Sequence, residues 1–68
     1  MHENVTLGAE AALKYAAFRN LAVQLGEVKG ESVSRPKSGE LVLWLSLEGF
    51  ATVAMIVPSG HWSESSRN

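Results

Sequence analysis

Apolar residues recur along this chain with two different periods, and the change of period divides it. From Thr6 to Leu25 they follow the helical repeat. Leu7, Ala11, Tyr15, Phe18, Leu21, Ala22 and Leu25 fall on one stripe of large side chains. Ala9, Ala12, Ala16 and Val23 fall on the opposite side. Six Ala between positions 9 and 22 favour the helix strongly. Asn4 or Thr6 is expected to cap its start with a side-chain oxygen. Gly26 is expected to end it in a left-handed conformation. Glu10 and Lys14 stand four apart, in the favourable order for an ion pair. The small side has two readings. Ala fills solvent-facing helical positions at little cost, or it lets a second helix approach closely.

After Gly26 the pattern changes. Residues 27–35 are polar apart from Val28 and Val33, and read as a short edge strand whose Lys and Glu discourage unwanted pairing. Arg35-Pro36-Lys37-Ser38-Gly39 reads as a turn, since Pro presets one position and Gly closes it. Then come two apolar runs, Leu41 to Leu47 and Phe50 to Val57, separated by Glu48-Gly49. A two-residue turn there needs the positive φ that Gly supplies. Glu is less usual than Asn or Asp before that Gly, which leaves a longer loop open. With two residues in the loop, Leu47 faces Phe50, Leu45 faces Thr52, Leu43 faces Ala54 and Leu41 faces Ile56 on one face. The other face then carries Val42, Trp44 and Ser46 against Met55, Val53 and Ala51, with Glu40 opposite Val57.

A hairpin with one solvated face shows polar residues on that face. This one is apolar on both, in either register. The Leu7-Phe18-Leu25 stripe can cover the Leu face. The face with Val42, Trp44, Val53, Met55 and Val57 then lacks a cover, and exposed apolar patches of that kind mark interaction sites. Trp and Met are also enriched at interface centres. His61 and Trp62 could fold back over that face instead, but the polar, Ser-rich segment 59–68 reads as a flexible tail.

Size sharpens this expectation. The chain has 68 residues and no Cys. A domain this small buries only about 60% of its unfolded surface, and such chains rely on disulfides, metals or oligomerisation. Disulfides and thiolate zinc sites are excluded. His2 and His61 match no local metal motif. Oligomerisation remains, and two-fold homodimers are the commonest form.

Charge and composition add little. The net charge is −1 and hydrophobic residues make up 46%, values of an ordinary globular domain. No run approaches the roughly 20 apolar residues that span a bilayer, and the N-terminus lacks signal-peptide features. A cytoplasmic location is the default.

Candidate chemistry is sparse. There is no Asp, and Glu27, Glu31, Glu40 and Glu48 lie near turns or strand ends, with no spacing that pairs two of them in an apolar pocket. Gly26 and Gly30 follow a helix and lack the terminal Gly-Lys-Ser/Thr, so they form no phosphate loop. No cofactor is expected, and the protein is not expected to be an enzyme. Lys29, Arg35 and Lys37 offer a basic edge for nucleic acid, but Glu27, Glu31 and Glu40 interleave with them.

The expectation is an α+β domain over residues 1–58, an α-β-β-β meander completed by dimerisation, followed by the tail. Its expected function is that of a non-enzymatic interaction module: a homodimer that binds and occludes a site on a protein partner, as inhibitors and adaptors do. The expected surface comprises Val42, Trp44, Val53, Met55, Val57, Ala9, Ala12, Ala16 and Trp62. The size also suits a phage or mobile-element accessory protein. The alternatives are a nucleic-acid-binding regulator using Lys29, Arg35 and Lys37, and a small-ligand binder at a dimer interface.

Overall fold

The computed structural model describes residues 4–49 and 51–64. The chain is an α+β domain in which a helix precedes a three-stranded antiparallel meander. The elements run β1 (Val5–Leu7), α1 (Ala9–Leu25), β2 (Val28–Ser34), β3 (Leu41–Leu47), β4 (Thr52–Val57) and β5 (Trp62–Glu64). The main sheet has the order β2-β3-β4, and β1 pairs with β5 in a second, two-stranded sheet. The two short strands were not expected. Trp62–Glu64 are a strand rather than part of a loose tail, with Leu7 opposite Trp62 and Val5 opposite Glu64. Residues 65–68 lie outside the described residues.

The helix starts later than the periodicity suggests. Gly8, not Asn4 or Thr6, holds the N-cap position, with no side-chain cap. Thr6 is drawn into β1. Gly8 also donates its N–H to the His61 carbonyl at 2.8 Å, and a Cβ there would come within 3.2 Å of that oxygen. A side chain there would make the two backbones give way by a few tenths of an ångström. At the other end Gly26 is extended, with φ 170°, rather than left-handed. Its N–H still bonds the Ala22 carbonyl at 3.2 Å.

Helix orientation departs from the expected stripe. Ala11 and Ala22 are buried, and Tyr15 and Phe18 are half-buried against the sheet. Leu21 and Leu25 are 63% and 73% exposed. The helix is apolar on most of its circumference, so periodicity leaves its rotation open. Small side chains at 11 and 22 let it lie close on the sheet, and the bulkier Leu residues turn outward. Ala9, Ala12 and Ala16 are exposed on the side away from the sheet.

The hairpin register differs by one residue from the two-residue turn. Leu47 N–H bonds the Ala51 carbonyl at 2.8 Å, and Ser46 faces Thr52, Trp44 faces Ala54 and Leu41 faces Val57. Three residues, 48–50, therefore connect the strands. Phe50 lies outside the described residues, but its expected place opposite Leu47 belongs to Ala51. A one-residue slip moves one strand's alternate side chains to the other face. Val53, Met55 and Val57 thus join the Leu41-Leu43-Leu45-Leu47 face beneath the helix, where Leu41, Leu45 and Val57 are fully buried. Burial of each such side chain contributes about 1.5–3 kcal/mol.

Two clusters form the core. One joins Val5, Ala11, Leu41, Leu43 and Val57, with Tyr15 and Trp62 packed against it. The other joins Ala22, Leu45 and Leu47, with Phe18 and Val53. Trp62 reaches the helix side of the sheet, not the Trp44 face, and its indole N–H donates to the Gly39 carbonyl at 2.9 Å. The expected turn is present, with Gly39 at φ 92° and its N–H bonded to the Pro36 carbonyl at 3.1 Å.

Candidate interaction surface

The outer sheet face is set by register. β2 contributes Gly30, Ser32 and Ser34, β3 contributes Ser46, Trp44 and Val42, and β4 contributes Thr52, Ala54 and Ile56. None of these nine residues carries a charge. The polarity is graded across the face. The β2 side is Ser and Gly, whereas the β3–β4 side carries Val42, Trp44, Ala54 and Ile56. Trp44 is 37% exposed and Ile56 59% exposed.

Trp44 is held in place. Its Nε1–H donates to Ser34 Oγ at 3.0 Å, one step diagonally from the directly opposed Ser32. The indole's polar end is thus satisfied within the sheet while part of its apolar surface stays open. An aromatic ring fixed in this way loses little side-chain entropy when a partner covers it.

Of the residues expected on this surface, Val42 and Trp44 are there. Val53, Met55 and Val57 are not, because the three-residue loop turns them under the helix. Ala54 and Ile56 take their place. Two signals in the sequence pointed to this register. Glu48 is an unusual first residue for a two-residue turn. The slipped register also pairs the two small polar residues Ser46 and Thr52 on one face.

The basic edge is not assembled. Lys29 sits at the start of β2 and Arg35 just beyond its end, roughly 20 Å apart at about 3.3 Å per residue. Lys29 pairs with Glu27 at 3.6 Å and Glu48 at 3.4 Å, and Arg35 with Glu64 at 2.6 Å. Lys37 is exposed in the turn. Arg19 of the helix meets Glu31 of β2 at 3.0 Å. Beside that pair, the Tyr15 phenol is pushed above its usual pKa by burial and then by the Glu31 charge, with Arg19 opposing. Among the described residues no group of three or more His or Glu is placed to hold a metal ion.

Comparison with protein-family models, with curated proteins and with solved structures finds no match to this chain.

Proposed function

We propose that the protein is a small, non-enzymatic interaction module that works as a homodimer and occupies a site on a protein partner. The outer sheet face around Trp44 is the contact surface. The observation that supports this reading most is its uncharged half-apolar surface, with Trp44 and Ile56 open beside Val42 and Ala54. Charge depletion and an aromatic anchor are what the centre of an interface carries. The reading includes a cytoplasmic location, with which a Cys-free chain agrees.

The test is capture from host extract by the wild-type chain and by Trp44→Ala. Trp44 is partly exposed, so the variant is expected to keep its fold, which circular dichroism checks. A partner held by the wild type and lost by the variant supports the reading, the more so if capture persists at high salt. Equal capture by both overturns the assignment of the surface.

A further inference from the structure

We infer that the dimer forms through the free edge of β4, so that two sheets join into one of six strands while the α1 helices pack side by side over the junction. This rests on the homodimer reading above and specifies which surface makes the dimer.

The two edges of the main sheet differ. On β2 there is a bulge between Val28 and Gly30, a Lys at position 29, and Glu31 facing the helix side. Bulges, lysines and inward charges are devices that keep an edge from pairing. β4 reads Thr-Val-Ala-Met-Ile-Val, with no charge, Pro or bulge. Among the described residues no strand lies beyond it.

Backbone direction follows from one bond. Ala51 accepts from Leu47 of β3, so alternation turns the N–H and C=O of Thr52, Ala54 and Ile56 away from β3. A two-fold axis at Ala54 pairs Ala54 with its twin and Thr52 with Ile56 of the second copy. These three side chains are uncharged and lie on one face.

The helix suits the same axis. α1 contacts both β3 and β4, which brings one of its flanks beside the β4 edge. An open groove of ≈ 370 Å³ separates α1 from the β4 edge, with Glu10 and Lys14 on one wall and Met55 and Ile56 on the other. The flank of α1 on that side continues through Ala17 and Leu21. Leu21 is 63% exposed. In antiparallel helices meeting at this flank, Leu21 and the small Ala17 of each copy face the other helix, and Ala17 permits close approach.

Sedimentation of the full chain at micromolar concentration tests the inference. A dimer is expected. Leu21→Lys, on an exposed helix position, weakens it more than ~10-fold. Leu13→Lys, on the side of α1 turned away from the sheet, leaves it unchanged. Ala54→Pro removes the outward N–H at the axis and also weakens the dimer. A wild-type monomer overturns the inference, as does a Leu21→Lys variant that associates as well as the wild type. A monomer whose β4 edge pairs with a captured partner's strand assigns the edge to that partner and overturns it too. The two readings fail separately: Trp44→Ala removes partner capture without changing the dimer, whereas Leu21→Lys changes the dimer first.

Discussion

The amide of Leu47 donates to the carbonyl of Ala51 at 2.8 Å, and that bond decides which face every β4 side chain occupies. It makes Ser46–Thr52, Trp44–Ala54 and Val42–Ile56 the non-hydrogen-bonded pairs of the hairpin, whose Cα atoms approach to about 4.5 Å. Cross-strand Hα–Hα contacts by NMR are therefore expected at these three pairs. Contacts of Trp44 with Val53 and of Val42 with Met55 instead would restore the two-residue turn and reverse the outer face.

The loop that sets this register depends on Gly49, whose φ is 85°. A Cβ there would touch nothing within 4 Å, so Gly49→Ala isolates the backbone cost. The left-handed region costs an L-residue about 1–2 kcal/mol. For a domain of this size that corresponds to a melting temperature lower by roughly 5–15 °C, measured by thermal unfolding.

Helix rotation has its own test. Leu43 is buried in the first cluster, and Leu43→Ala is expected to cost about 2–5 kcal/mol. In a chain this small that is enough to unfold much of the population. Leu25 is 73% exposed, and Leu25→Ala is expected to change stability by less than about 0.5 kcal/mol. Urea unfolding of both variants measures the contrast. A large loss at Leu25 would return the helix to the Leu7-Phe18-Leu25 stripe.

Trp62 ties the C-terminal strand to the turn after β2. Trp62→Phe keeps an aromatic ring but leaves the Gly39 carbonyl without the indole donor. The expected loss is about 1–2 kcal/mol. Hydrogen exchange should locate the weakening at β1 and β5, since Leu7 and Trp62 pair directly. Uniform loosening of the main sheet would argue against this tie.

Tyr15 gives a pH dependence. Burial, then the Glu31 charge, raises its pKa above the usual phenol value. The folded protein therefore holds the phenol proton more tightly than the unfolded chain. The resulting stability is fully present below about pH 10, where both states are protonated, and is lost as pH rises through the folded value. The stability difference between wild type and Tyr15→Phe, measured by urea unfolding, is expected to stay level up to about pH 10 and then to move against the wild type. A difference that stays level through that range would place the phenol in water.

Local chemistry made part of the fold legible in the sequence. Alanine content and a helical period placed α1 to within a few residues. Pro36 and Gly39 marked one turn and Gly49 the other, because few residues fit those backbone angles. The polar segment before them emerged as the edge strand β2. These features gave the α+β class, with a helix leading into a meander. They also placed Val42 and Trp44 together on one sheet face.

Tertiary structure decided what those patterns leave degenerate. Both hairpin strands are apolar at odd and even positions, so alternation could not choose between registers, and the length of the 48–50 connection chose. That choice sent Val53, Met55 and Val57 to the core and Ala54 and Ile56 to the surface. The helix is apolar on most of its sides, so its rotation was settled by how closely Ala11 and Ala22 could approach the Leu face. β1 and β5 are three residues each, too short for a periodic signal, and exist because distant parts of the chain meet. The sequence by itself determined that apolar surface would exceed what one helix covers; packing determined which residues remain outside.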